Sequence, residues 1–505
     1  MDCASILCKE ECNLNKVSLE VLKDLKLDIV IRRIVTSKER YNLDPFFLSP
    51  LKSEDEIRYR QEISKDVERE DVFSYLKEFS RSMDRVSRLK KMAEKLEYEY
   101  NKKGWILETA IAYSKAVQKL LRNLENSDIR SEGLKRFREF LKKYVNSEDF
   151  QSLVEDAEKV KSALSSIKYS LIVEPGKFSV KKYEGEENFA PSVEEIFSKF
   201  RDSECNQYEF EIVETHGMNH IEAAILDFVV KLYPKPFEIL DEFCKKHENF
   251  LNRCILKFER EIQFYLSYLE FVKPLKSKGL HFCYPRLSEN GENFYAVDMF
   301  DMALATTIES KKIVKNNFQL QDSERIIVVT GPNQGGKTTF ARAFGQVHYL
   351  ASLGLPVPAS SAKLLIPDEI FTHFERQEKL QSLKSKLEDD LIRAKKIVDK
   401  VTNRSVVIMN EVFSSAALFD MISLSKNILD KLLEKNCIGV WVTFADELSR
   451  YNEKIVSMVA QVDPKDPSVR TFKIVRKSSD GLAYAFSVAE KYGLTYEKIK
   501  ERVVR

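Results

Sequence analysis

No apolar run in this 505-residue chain approaches the ~18 residues that a membrane span requires, and the N-terminal stretch MDCASILCKEECNL is acidic without a signal-peptide core. Both absences point to the cytoplasm and to no membrane partner. Net charge is almost absent too. Against 79 Asp+Glu stand 81 Lys+Arg, a balance of +2 that excludes global attraction to nucleic acid and leaves such a role to local patches. Cysteine is sparse at eight residues; Cys3, Cys8 and Cys12 cluster without a matching His/Cys pair, so reduced structural or surface thiols are the better reading than a metal site. There is no internal repeat and no low-complexity tail.

From Ser18 to about Lys273 glycine and proline are scarce and apolar residues recur at helical spacing, as in FSYLKEFSRSMDRVSRLKKMAEKLEYEY from Phe73. This half is predicted to be mainly α-helical. One interruption, YSLIVEPGKFSVKKY from Tyr169 to Tyr183, alternates on either side of Pro175-Gly176 as a β-hairpin does. After Gly279 the pattern changes to short β-branched strands, RIIVVT, SVVIMN, CIGVWVTF and TFKIVRK, alternating with helices. That alternation predicts an α/β domain with a largely parallel sheet. The expected division is therefore 1–278, a helical core and lever region with a hairpin near 169–183, and 279–505, a P-loop nucleotide-binding domain.

The segment RIIVVTGPNQGGKTTFARAF places a GxxxxGK[ST] loop between a predicted strand and a predicted helix, the context that gives this motif its meaning. Gly331, Gly335 and Gly336 let the backbone curl so that its N–H groups face phosphates, and the following helix N-terminus adds positive potential. Lys337 is placed to reach the β/γ-phosphates and the Thr338 hydroxyl to ligate Mg²⁺. ATP with Mg²⁺ is the expected cofactor pair.

The loop Thr330-Gly331-Pro332-Asn333-Gln334-Gly335-Gly336-Lys337-Thr338-Thr339 closely resembles that of the MutS family. Other stretches extend the likeness: VKNNFQL before the loop, LGLPVPASSAKLLIPDEIFTHF after it, then SMVAQV, RTFKIVR and DGLAYAFSVAEKYGLTYEKIKERV, with PLKSEDEIRYRQEI from Pro50 similar to the family's core segment. The resemblance implies an ABC-like ATPase domain, C-terminal helices that support a homodimer, and a role in DNA mismatch repair or recombination. No mismatch-reading domain is expected ahead of the core, and no Smr module after Arg505.

The strand RSVVIMNE departs from that pattern. Family resemblance implies Asp-Glu at its end, where this chain has Asn410 and Glu411. Asn410 keeps an oxygen for a metal-bound water but no charge, a loss of about 3 to 4 kcal/mol at ~4 to 5 Å and an effective dielectric near 20. Glu411 keeps the water-activating role. In place of the family's Gly-Arg-Gly-Thr-Ser run stands VFSSAALFD, in which Ser414 and Ser415 are expected to cap a helix and face a partner's phosphate. The family's Thr-His switch is Thr443-Phe444. Whether Asp389 or Asp390 restores the missing charge stays open.

Basic patches at Arg85 to Lys95 and at Lys177, Lys181 and Lys182 offer salt-sensitive, sequence-independent contact with mismatched or branched DNA, although lysines interleaved with Glu equally describe a solvated face. The expected function is that of a slow ATPase coupling nucleotide state to binding of such DNA. The alternative is a nucleotide-gated protein scaffold with little hydrolysis.

Overall fold

The computed structural model describes residues 5–9, 17–175, 177–186, 218–289, 293–309, 312–375, 385–466, 469–478 and 494–503. Two compact units divide the chain: one takes residues 71–128 and 136–259, the other residues 2–70, 129–135 and 260–505. The unit that carries the large sheet is thus discontinuous in sequence.

Helices α1 (Leu19–Asp24), α2 (Leu27–Val35), α3 (Asp44–Phe47) and α4 (Glu54–Glu68) belong to the discontinuous unit. The helical unit follows with α5 (Glu70–Lys95), α6 (Glu99–Glu125), most of α7 (Glu132–Val145), α8 (Glu148–Ser165), strands β1 (Tyr169–Glu174) and β2 (Lys177–Lys182), α9 (His220–Leu232), α10 (Pro234–Lys246) and the start of α11 (Arg253–Ser277). In α5 the buried Val72, Leu76, Phe79, Met83 and Val86 recur every three or four residues, which gives one apolar face to a 3.6-residue turn. Phe137 of α7 stacks on Phe258 of α11 with ring centroids 3.5 Å apart, and the Tyr113 and Tyr144 hydroxyls meet at 3.1 Å. β1 and β2 pair antiparallel, with Glu174 opposite Lys177.

The remaining elements are β3 (Arg286–Ser288), β4 (Phe294–Met299), α12 (Met302–Ala305), β5 (Asn316–Leu320), β6 (Ile326–Thr330), α13 (Lys337–Ser352), β7 (Ser361–Leu365), β8 (Ile370–His373), α14 (Lys386–Lys400), β9 (Val406–Asn410), α15 (Leu418–Glu434), β10 (Ile438–Val442), β11 (Ile455–Val462), β12 (Arg470–Arg476) and α16 (Tyr496–Val503). Six strands form one sheet in the order β12-β11-β6-β10-β9-β8. All neighbours are parallel except the β11–β12 pair. Every residue of β6, β9 and β10 is buried, as Val- and Ile-rich strands covered on both faces require. Helices α14 and α15 make the crossovers that parallel neighbours require. A second sheet, absent from the sequence expectation, has the order β3-β7-β4-β5.

Residues 480–493 of the expected C-terminal helical stretch lie outside the described residues; α16 lies within them. Cys8 and Cys254 are each disulfide-bonded, so the reduced-thiol reading holds for Cys244, Cys283 and Cys437 among the described cysteines. Among the described residues no helix is long and apolar enough to cross a membrane.

Candidate functional site

The glycine loop leaves the C-terminal end of β6, which lies between β10 and β11. Crevices outside the carboxyl ends of parallel strands are where such sheets take ligands. Gly331 (φ +112) and Gly336 (φ +91) occupy the left-handed region, and so does the non-glycine Gln334 (φ 61). Gly335 is needed for a different reason. A Cβ there would stand 2.9 Å from both Ala460 Cβ and the Pro332 carbonyl oxygen, and one on Gly331 would stand 3.0 Å from the Ala460 backbone. The loop is therefore pressed against β11 by close backbone approach.

Gly336 caps α13, and Lys337 is its first residue. The Lys337 side chain is only 4% exposed and donates from Nζ to Gly331 O at 2.7 Å, Pro332 O at 3.3 Å and Asn333 Oδ1 at 3.4 Å. Burial lowers its pKa, and the nearby Glu411 charge opposes that shift. Lysine at this point is held as a cation-donor by the same loop it would share with a phosphate.

A cleft of about 380 Å³ opens here, lined by Gln334 to Thr339, Glu411, Asn316 and Phe472, with Leu304, Ile308 and Val314 as its apolar wall. The sequence brings Gln334, Gly335, Gly336, Lys337, Thr338, Thr339 and Glu411 into this one lining. Gly331, Pro332 and Asn333 form the arm of the loop behind it. Glu411 sits in the left-handed region (φ 52), and its N–H donates to Val442 O at 2.9 Å, so a strained backbone turn aims it away from the strand line.

Asn410 ends β9, 5% exposed, opposite Val442 of β10. Its Oδ1 and the Thr330 Oγ1 at the end of β6 are buried without a hydrogen-bond partner. Such orphaned acceptors are costly unless something meets them. Asn410 and the Thr338 hydroxyl offer oxygen donors, the chemistry Mg²⁺ takes, while no group of three or more His, Cys, Asp or Glu among the described residues could hold a metal. These residues fit a hard cation that arrives with a phosphate better than a caged ion.

Ser414 and Ser415 require a correction. Helix α15 starts only at Leu418, with Ala417 as N-cap and no side-chain capping bond. Phe413, fully buried at φ 61, turns the chain and spends the two serines in that turn. The Ser414 hydroxyl donates to Glu375 Oε1 at 3.2 Å, and Ser415 is exposed; neither caps the helix. Asp390 is likewise engaged, its Oδ1 3.3 Å from His373 Nε2 in a buried pair, while Asp389 faces solvent in the first turn of α14.

Several residues of the site had no motif to announce them. Asp301 Oδ1 accepts from Ala303 N and Leu304 N and so caps α12, while Gln346 Nε2 donates to both Asp301 Oδ1 at 2.9 Å and Leu25 O at 2.8 Å. That buried network fixes the Leu304 wall to α13. Asn316 is tied to β12, donating to Phe472 O at 3.1 Å and accepting from Ile474 N at 2.8 Å. Phe472 itself bends into the left-handed region (φ 57) beside Gly336.

A central parallel strand that turns through a glycine loop into a helix, with a carboxylate from a second strand end facing the loop lysine, defines the P-loop class of α/β domains. Residues 327–503 match the family model MutS domain V. The likeness of this chain to the MutS family rests on this domain. It is 28% identical over 199 residues to the DNA mismatch repair protein MutS of Prochlorococcus marinus (strain MIT 9301), covering 38% of this chain and 22% of that one. The corresponding protein of Aquifex pyrophilus is 25% identical over 297 residues, 57% of this chain and 33% of the relative. That of Chlorobaculum tepidum is 31% identical over 192 residues, 37% of this chain and 22% of the relative. The likeness thus spans about a fifth to a third of these relatives' length.

Proposed function

We propose that the chain binds ATP with Mg²⁺ in the cleft at Lys337 and hydrolyses it slowly, coupling nucleotide state to the binding of mismatched, branched or damaged DNA. One observation carries the reading: Lys337 and Glu411 face one cleft at the open end of β6, with the orphaned Asn410 Oδ1 buried one residue behind Glu411. Lys337 exchanges the loop carbonyls for phosphate oxygens, and the loop N–H groups with the α13 N-terminus hold the anion. When bound, Mg²⁺ neutralises the polyphosphate and the charge that develops on it. Glu411 orients a water and takes its proton as the water oxygen bonds to phosphorus and the bond to the leaving phosphate breaks. Apolar Leu304, Ile308, Val314 and Phe472 give a wall on which the base can lie.

In this reading residues 279–505 handle the nucleotide and pair as a homodimer, and the lever role, expected of 1–278, falls to the helical unit of residues 71–128 and 136–259, since residues 2–70 and 260–278 belong to the sheet-bearing unit. The relatives named DNA mismatch repair protein MutS support DNA as the partner. The hairpin lysines argue less for it, since Lys177 pairs with Glu174 at 2.7 Å and Lys181 with Glu186 at 2.5 Å. A second reading, a nucleotide-gated protein scaffold with negligible turnover, is favoured by the neutral Asn410 and by Phe444, 52% exposed where the family's switch histidine is expected.

Steady-state ATP turnover by the full chain with Mg²⁺, with and without branched or mismatched duplex, separates the two. Turnover that DNA changes and that Glu411→Gln removes by about 10²-fold or more is the expected result. Turnover no higher than that of Glu411→Gln, with binding still lost in Lys337→Ala, would leave the switch.

A further inference from the structure

We propose that strand β1 of the hairpin is a self-association surface, on which β1 of a second copy of this chain adds antiparallel to make a four-stranded sheet. The surface does not depend on nucleotide binding. Among the described residues β1 has β2 as its one strand neighbour. The Tyr183 N–H donates to Lys168 O at 3.4 Å, in the register that sets Tyr169 opposite Lys182. Hydrogen-bonded pairs alternate along an antiparallel ladder, so Lys168, Ser170, Ile172 and Glu174 turn their backbone groups toward β2, while Tyr169, Leu171 and Val173 turn theirs outward. Those outward N–H and C=O groups meet no partner among the described residues.

The side chains of the same three residues share one side of the strand, with Val180 opposite Leu171 and Phe178 opposite Val173. Helix α9 covers the β2 half of that side. The Phe178 ring meets Phe228 with centroids 6.2 Å apart, and Lys182 Nζ lies 5.5 Å from the ring of Tyr233, the residue after α9. The β1 half is left uncovered, with Tyr169, Leu171 and Val173 45%, 44% and 74% exposed. Lysine on an edge strand discourages pairing. β2 carries Lys177, Lys181 and Lys182, and β1 carries none.

A second copy fits this edge in one register. With Leu171 opposite its own counterpart, Tyr169 falls opposite Val173 of the second copy, and all three outward residues exchange paired backbone bonds. Sliding the copies one step brings Tyr169 opposite Pro175, which has no N–H; sliding them the other way brings Val173 opposite Ile167, whose N–H is already given to Leu164 O at 3.2 Å. The favoured register also sets the exposed Lys168 opposite the exposed Glu174 of the second copy, at both ends of the ladder. Apolar side chains of the two copies then form one strip, which together with Glu174 suits a protein strand and not a phosphate backbone. The ladder is short beside the about 1,200 Å² of a stable interface, so the pairing is expected to be reversible and to gain from any homodimer contact made elsewhere in the chain.

Leu171→Cys and Val173→Cys test the register in the full chain under mild oxidation, without nucleotide or DNA, with the wild type as control for the native thiols. In this register the two Leu171 Cα atoms stand about 5.5 Å apart, within reach of a disulfide, whereas the two Val173 positions are four residues apart along the ladder, about 14 Å. Leu171→Cys is expected to give a dimer joined at the introduced thiols about tenfold faster than Val173→Cys, the reverse of the order of their exposure. Equal rates, a faster Val173→Cys, or no such dimer from either overturns the proposal. Residue-resolved hydrogen exchange reads the same contact without cysteine. Leu171→Lys sets two like charges face to face, and is expected to speed exchange of the Tyr169 and Val173 amides about tenfold while those of Ile172 and Ser179, bonded within the hairpin, hold. Should that variant melt the hairpin, seen at Ile172 and Ser179, dilution of the wild type gives the same comparison. Tyr169 and Val173 amides that are unprotected at high protein concentration, or protected only when duplex DNA is added, overturn the proposal.

Discussion

At the scale of single residues, Asn410 is where composition and chemistry meet most directly. It is buried, its Oδ1 has no partner, and the residue after it is strained. Restoring a carboxylate is expected to tighten Mg²⁺ on the nucleotide complex by about tenfold or more, a fraction of the about 3 to 4 kcal/mol that a unit charge exerts at this range. The Mg²⁺ dependence of nucleotide binding in Asn410→Asp measures it; an unchanged midpoint would remove Asn410 from the metal's surroundings. Gly331, Gly336, Lys337 and Thr338 could be read as one loop because they are neighbours in the chain, and Glu411 as a strand end of the same α/β pattern. Phe472 and Ala460 could not. Each reaches the loop across more than a hundred residues, through a strand pairing that no local spacing encodes. The left-handed turns at Gln334 and Glu411 escaped for another reason: only glycine advertises such a conformation.

At the scale of elements, the strands β6, β9 and β10 were readable as short, mainly apolar runs rich in Val and Ile, and the hairpin strands β1 and β2 as alternating ones. The start of α15 differs from the expectation. Ser414 and Ser415 look like helix caps when only composition is considered, but the buried Phe413 turns the chain and delays the helix to Leu418. The consequence is a 17-residue helix whose N-cap, Ala417, offers its first N–H groups nothing. Ala417 already has the extended backbone of a cap (φ −60, ψ 148). Ala417→Ser is therefore expected to stabilise the sheet-bearing unit by about 1 kcal/mol, read as a higher denaturant midpoint at unchanged slope. No gain would mean that these N–H groups are already met elsewhere, in the manner expected if a second subunit supplied the acceptor. The four-stranded sheet β3-β7-β4-β5 was not legible because its strands are three to six residues long and lie among turns.

At the scale of the whole molecule, the cleft lies within one of the two compact units. Every residue of the cleft belongs to the discontinuous unit. ATP at a hundred times its dissociation constant is expected to stabilise that unit by about 2.7 kcal/mol. Residue-resolved hydrogen exchange checks this: added protection should appear across β6, β9, β10 and α13, and amides of α6 and α8 should remain as they were. Protection spread evenly over both units would show instead that nucleotide occupancy and the helical unit act as one body.

The same discontinuity orders events during synthesis. In the finished protein Leu25 is bonded to Gln346 through its carbonyl and packs so tightly on Gly345 that a methyl group there would sit 2.5 Å from its side chain. When Leu25 leaves the ribosome its partner is still 321 residues away. At about 5 to 20 residues per second, α1 and α2 wait roughly 15 to 65 s with their apolar faces uncovered, while residues 71–259 emerge complete and free to fold. The segment around Leu25 is thus made long before its partner yet placed with it, which makes this segment, rather than the glycine loop, the point at which a holding chaperone would decide the yield of folded protein.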